Sequence, residues 1–221
     1  LQQGGHVMLN FRDSTLAQLE KMFGLEQVAT LPALDAWLKS EAAIADFERQ
    51  VLLTLREHLL LNAHDWNETE LAYNFIGPLI AFVNYSTKKF NFFAERMFNG
   101  TVDGIEMGGK PDGMIASGFR EPERPYFCFQ EYKKDQDPEG DPAGQALAAM
   151  LVAQAMNERH HPVYGCYVKG RDWFFMALHG KQYAISEPYI ATRDEVFDIF
   201  RILKALKAII ADLVAQDASP H

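Results

Sequence analysis

The residues with the clearest chemical promise are Glu131 and Lys133, with Asp112 ahead of them. Glu131-Tyr132-Lys133 ends the apolar run Tyr126-Phe127-Cys128-Phe129-Gln130, which reads as a strand buried on both faces. In a strand, residues i and i+2 share a face, so an acid and an amine at this spacing project together. Tyr132 then faces the other way, and its carbonyl is available as an oxygen ligand. Asp112 stands 19 residues earlier, after Pro111, at the head of the strand-like Gly113-Met114-Ile115-Ala116. If the two segments pair as neighbours, the two carboxylates meet. Two carboxylates suit a hard divalent cation. Such a cation can activate water and offset charge on a phosphate, and a lysine beside it can orient that water.

The same residues fit plainer roles. Glu131 and Lys133 could form an exposed ion pair, worth little energetically. Asp112 could be a turn residue after Pro111. Glu70 follows Asn67 by three, which is the spacing of an N-cap with its reciprocal acid.

The elements that must position these groups are legible from periodicity. Leu16, Leu19, Met22 and Phe23 predict a helix stopped by Gly24. Leu34, Trp37 and Leu38 predict a second, after Pro32. Ile44, Phe47, Val51, Leu52, Leu55 and Leu59 predict a longer third. A fourth begins near Asn67 and carries Leu71, Phe75, Leu79, Phe82 and Val83, with Pro78 as an interruption. The period then shortens to strands at Lys89–Phe98, at 111–116 and at 126–133. A Gly/Pro-containing loop leads into a helix over 142–158, rich in alanine. Strands follow at 162–168, 173–178 and 182–185. The last helix carries Val196, Ile199, Phe200, Leu203, Leu206, Ile210 and Leu213, and Thr192-x-x-Glu195 predicts its capping box. Helices interleaved with strands indicate an α/β fold with a mixed sheet flanked by helices. Residues 1–62 read as an N-terminal helical extension and 63–221 as the main domain.

Pro111-Asp112 followed by Glu131-Tyr132-Lys133, in helix-strand-strand-strand-helix-strand order, resembles the PD-(D/E)XK nuclease superfamily over about residues 67–169. The chain has one Pro-Asp pair and one acid-x-Lys triplet, in that order. The resemblance implies a restriction-endonuclease-like fold and a Mg²⁺ (or Mn²⁺) site. Asp112, Glu131 and the Tyr132 carbonyl would be its ligands, and Lys133 would stand beside the attacking water. It further implies an acid from the preceding helix, Glu70 or Glu68, and a glutamine on the following helix, Gln145. The tyrosine that often accompanies that glutamine is replaced by Ala149. The activity implied is hydrolysis of DNA phosphodiesters, as an endonuclease or exonuclease. Nucleases of this kind commonly act as pairs, so a homodimer is one expectation.

Composition sets the alternative. The 221 residues carry a net charge of -9, whereas a protein that grips nucleic acid alone usually presents a basic face. The charge favours either a nuclease that relies on a partner subunit or a non-catalytic nucleic-acid-binding or assembly module on the same fold. No uncharged apolar run reaches eighteen residues, so no membrane span is expected. The first residues, Leu1 to His6, lack the pattern of a signal peptide, and Cys128 and Cys166 lie in apolar runs. Together these point to a cytoplasmic protein with reduced thiols. No zinc-ligand spacing, nucleophile triad or phosphate-binding glycine loop is present.

Overall fold

The computed structural model describes residues 8–132, 140–158 and 160–218, with the side chains of Glu131 and Tyr132 outside the description. The chain opens with β1 (Leu9–Asn10), a 3-10 turn (Phe11–Asp13), α1 (Leu16–Phe23), β2 (Glu26–Gln27), α2 (Pro32–Lys39) and α3 (Asp46–Asn62). Next come α4 (Glu68–Leu71), a π turn (Ala72–Ile76), α5 (Gly77–Val83), β3 (Phe90–Ala94), β4 (Phe98–Val102) and β5 (Ile105–Gly109). Then follow β6 (Gly113–Ser117), β7 (Pro125–Tyr132), α6 (Pro142–Met156) and β8 (Val163–Lys169). The chain closes with β9 (Asp172–His179), β10 (Gln182–Ile185), β11 (Tyr189–Ile190) and α7 (Glu195–Asp217).

The fold is mixed α/β, with a large mixed sheet flanked by helices. Its strand order is β2-β10-β9-β8-β7-β6-β3, and β11 adds to β9. β3, β6 and β7 form an antiparallel meander, while β7 and β8 run parallel, joined through α6. A parallel pair needs such a crossover, because a tight turn cannot reverse the chain twice. The alanine-rich composition of α6 explains where it lies. Residues 146–154 are buried without interruption, so this helix has no wet side and fills the space between the large sheet and a small one. The small sheet is β1-β5-β4. Close approach depends on glycine: a Cβ on Gly165 would lie 2.4 Å from Met150 Sδ, and one on Gly144 would lie 2.6 Å from Thr15 Cα.

The other face of the large sheet carries α2, α3, α5 and α7. Trp37, Leu52 and Leu59 of the first sixty residues are fully buried in one core cluster with Phe75, Trp173 and Phe200. β2 also pairs with β10. The segment expected as an extension therefore shares the core of the rest. Polar links fix it to α7: Trp37 Nε1 donates to the Ile202 carbonyl at 2.9 Å, and Arg201 Nη1 donates to the Leu38 and Ser40 carbonyls at 3.0 and 2.5 Å. Glu48 caps α3 through the Ala45 amide at 2.7 Å and also meets Lys204 Nζ at 2.7 Å. Burial raises the Glu48 carboxyl, but Lys204 and the amide outweigh it and hold it below the usual range.

Two expectations change. α7 starts at Glu195 with Asp194 as its cap residue, in helical conformation and with no side-chain cap bond, so Thr192 and Glu195 form no capping box. The aromatic run 89–98 is not one strand: it stops at Ala94, and β4 leaves for the small sheet.

The far end of α7 is anchored on one atom. Tyr126 Oη donates to Asp217 Oδ2 at 2.6 Å, Arg124 Nη1 lies 3.0 Å from the same oxygen, and His161 Nε2 lies 3.4 Å from it. His161 is buried and stacked on Tyr126, with ring centroids 5.3 Å apart. Burial raises the Asp217 carboxyl, but the Tyr126, Arg124 and His161 contacts outweigh it and leave it below the ordinary aspartate value. No helix among the described residues is long and apolar enough to cross a membrane.

Two expected outcomes follow from this packing. Trp37→Ala should cost about 3–5 kcal/mol in urea denaturation, as for other buried tryptophans; a change under about 1 kcal/mol would mean that the first helices do not share the core. A carboxyl lowered by folding stabilises the protein above its unfolded pKa, and that stability is lost as pH falls through the folded value. Melting curves below about pH 4 should therefore show a smaller acid loss in Asp217→Asn than in the parent chain.

Candidate functional site

A cleft of about 690 Å³ lies between the α4–α5 helical segment and the end of the meander. Its helical wall starts with Asn67, whose side-chain oxygen accepts the Glu70 amide at 3.0 Å. Glu70 returns the bond, accepting the Asn67 amide on Oε2 at 2.8 Å. This reciprocal cap occupies Glu70, which does not line the cleft. Glu68 and Thr69, on the same first turn, do line it.

The wall then widens by one residue. Pro78 has no amide proton, and its ring would crowd a preceding carbonyl in a regular helix. The chain answers with the π turn Ala72–Ile76, closed by the Gly77 amide bonding to the Ala72 carbonyl. A Cβ at residue 77 would sit 2.8 Å from that oxygen, so the wide turn needs glycine there. π turns of this kind often mark functional sites. Ala72, Tyr73, Ile76 and Gly77 face the cleft, and Tyr73 is exposed. Asn84 ends α5 in the left-handed region at φ 59, which lets the chain turn along Tyr85 and Ser86 into β3. Tyr85 is fixed by its hydroxyl, which donates to the Leu203 carbonyl at 2.6 Å.

The sheet supplies the opposite wall through Phe92, Ala94, Glu95, Asp112 and Phe129. Glu95 holds a positive φ of 49, an unfavourable conformation for a residue with a side chain. Its amide donates to the Asp112 carbonyl at 3.2 Å, so the end of β3 and the head of β6 are tied together. The half-buried Asp112 carboxylate accepts from Gln130 Nε2 through Oδ2 at 2.6 Å. That bond crosses from β6 to β7, where Gly113 pairs with Phe129. Glu131 is the next backbone position on β7 and pairs with Val168 of β8.

The structure thus brings Asp112 to the same sheet end as the backbone of Glu131 and Tyr132. Lys133 lies outside the described residues. Gln145 is half-buried near the start of α6 and does not line the cleft. Glu95, Tyr73 and Ser86 carried no role in the sequence reading. The Glu95-Arg96 pair interrupting an aromatic run was the available signal for a break in the strand. Asn84 after an apolar helix was the signal for a left-handed stop.

Electrostatically, the cleft carries Glu68, Glu95 and Asp112, and among the described residues no lysine, arginine or histidine lines it. Such a wall attracts cations and repels phosphate. The oxygen donors suit a hard divalent ion. Among the described residues, no three His, Cys, Asp or Glu side chains stand close enough to share one ion. Compared with known protein families and with curated proteins, the sequence matches no family model and no relative.

Capping and cleft functions can be separated. Glu70→Ala should lower stability by about 0.5–2 kcal/mol, as loss of a cap does, and leave divalent-ion binding unchanged. Loss of ion binding in this variant, measured by calorimetry, would restore Glu70 to the site.

Proposed function

We propose that this chain is a metal-dependent nuclease with a restriction-endonuclease-like core, hydrolysing phosphodiester bonds of DNA. The observation that carries the reading is that Asp112 lines a carboxylate-bearing cleft and bonds Gln130 on the adjacent strand, one backbone position before Glu131. The order of elements in the large sheet supports it, once the β4–β5 pair inserted after β3 is set aside: helix, the antiparallel strands β3, β6 and β7, helix, then β8 parallel to β7. That is the arrangement implied by the resemblance to PD-(D/E)XK nucleases.

In this reading Mg²⁺ (or Mn²⁺) is held by Asp112, Glu131 and the Tyr132 carbonyl. When bound, the ion supplies an activated water and charge neutralisation at the phosphate. Gln130 fixes the Asp112 carboxylate so that one oxygen stays oriented at the strand end. Glu68 and Glu95 raise the local concentration of cations. Lys133 positions the attacking water and offsets charge on the phosphate. With Glu70 engaged in its cap, Glu68 is the acid that the preceding helix offers to the cleft.

A second reading rests on charge. The chain carries -9, and among the described residues no basic side chain lines the cleft, which suits a non-catalytic assembly or binding module, or a nuclease whose grip comes from a partner subunit.

Calorimetric titration with Mg²⁺ or Mn²⁺ should give heat with the parent chain and little with Asp112→Ala; equal heats would remove the ion from this site. Plasmid nicking should fall by at least about a hundredfold in Lys133→Ala, in line with the loss of one positioned catalytic group, while circular dichroism stays unchanged. A folded parent chain that leaves plasmid and oligonucleotide intact with either ion supports the module.

A further inference from the structure

Outside the cleft, one corner of this acidic protein gathers exposed cations beside an exposed aromatic residue. The turn between β6 and β7 displays Phe119, a residue 65% exposed, beside exposed Arg120. The turn is built rather than loose. Gly118 adopts φ +101, and a Cβ there would lie 2.1 Å from the Glu121 carbonyl. The Gly118 amide donates to the Lys89 carbonyl at 3.2 Å, and Asn91 Nδ2 donates to the Gly118 carbonyl at 2.9 Å. These bonds fasten Phe119 and Arg120 beside Lys88 and Lys89, both exposed.

Lys88, Lys89 and Arg120 form no ion pair among the described residues. Of the neighbouring acids, Glu121 is engaged by Arg96 at 3.2 Å, while Glu123 is exposed. Chain continuity joins this corner to the cleft. Ser86 lines the cleft two residues before Lys88, and β3 then runs past Phe92 to Glu95. At about 3.3 Å per residue, the five residues of β3 span roughly 16 Å.

We infer that this corner and the cleft form one track for single-stranded nucleic acid, entered over Phe119 and Lys88-Lys89-Arg120 and ending at the Asp112 carboxylate. The inference rests on the nuclease reading and names its substrate class. Stacking on an exposed ring requires a base that is out of a duplex, and such stacking is tolerant of sequence. Tyr73, on the opposite wall, is 77% exposed and offers a second ring further along. Three cations are too few to hold duplex DNA against the repulsion of a net -9 chain, because duplex affinity is built from many phosphate contacts. A single strand needs fewer, since aromatic contacts supply the remainder.

The test uses fluorescence anisotropy in EDTA, so that binding is read without hydrolysis. Short labelled DNA and RNA strands of one sequence are compared with the duplex of the same sequence. At least one single strand should bind about tenfold or more tightly than the duplex. Phe119→Ala should weaken it by about tenfold or more, the range for one stacked base, while Phe119→Trp retains it. The double change Lys88→Glu, Lys89→Glu should reduce the salt dependence of binding. All these positions are exposed, so the fold is preserved. Equal affinity for duplex, an unchanged Phe119→Ala variant, or no binding of either strand would each overturn the track. Binding that depends on Phe119 without cleavage when Mg²⁺ is added keeps the track and removes the nuclease.

Discussion

The burial of α6 around nearly its whole circumference is the constraint on which the rest of the molecule depends. A helix with no wet side must be enclosed, so the chain surrounds it with the large sheet on one flank and with α1 and the small sheet on others. Because α6 also carries the crossover between β7 and β8, enclosing it sets those two strands side by side and in parallel. The end of β7 is then fixed against β6, and Asp112 arrives beside Gln130 by register alone. One acid secures the arrangement. Asp141 accepts the Gly144 amide at 2.9 Å and the Leu16 amide at 2.8 Å, so one carboxylate caps α6 and meets the first turn of α1.

Much of the scaffold could be read from the residues, and the reasons are local. Gly24 after Phe23, Asn67 before Glu70 and Pro142 at the start of α6 are terminus signals that act within a turn, and each is found where expected. The apolar run 126–129 correctly marks a strand covered on both faces. What escaped depends on distant partners. The amphipathic patterns of α2 and α3 show apolar faces without naming their mate, and that mate is α7, far along the chain. The separation of β4 from β3 depends on Glu95 taking a left-handed conformation, which no apolar periodicity encodes. The failed capping box at Thr192 shows local spacing overridden, since α7 begins one residue beyond Asp194 instead.

At the site, the acid at 112 was legible because Pro-Asp stands at a strand head and acid-x-Lys ends the next strand. The cleft around it was not, because its helical wall comes from residues whose side chains look like ordinary core or surface. Tyr73 reads as a helix-face aromatic until the π turn exposes it, and Ser86 reads as loop until the cleft is seen to run along it. Glu70 illustrates the opposite case: a residue attractive as a ligand is engaged by a backbone amide within its own turn. The net effect is a groove with carboxylates near one end and cations beyond the other, a polarity that neither total charge nor any single segment conveys.

The π turn has a consequence for the length of this segment. An α-helix advances about 100° per residue, and the extra residue between Leu71 and Gly77 shifts everything before it by that angle relative to α5. Removing one residue there would give a more regular rod, held better by its own hydrogen bonds if Pro78 were also replaced. It would swing Glu68 and Thr69 about a quarter of a turn around the axis while Ile80 and Ala81 stayed against the sheet. The irregular turn therefore sets the phase between the acidic start of the segment and its apolar continuation. A deletion of that kind would rearrange the wall and turn Leu71 away from its place in the core.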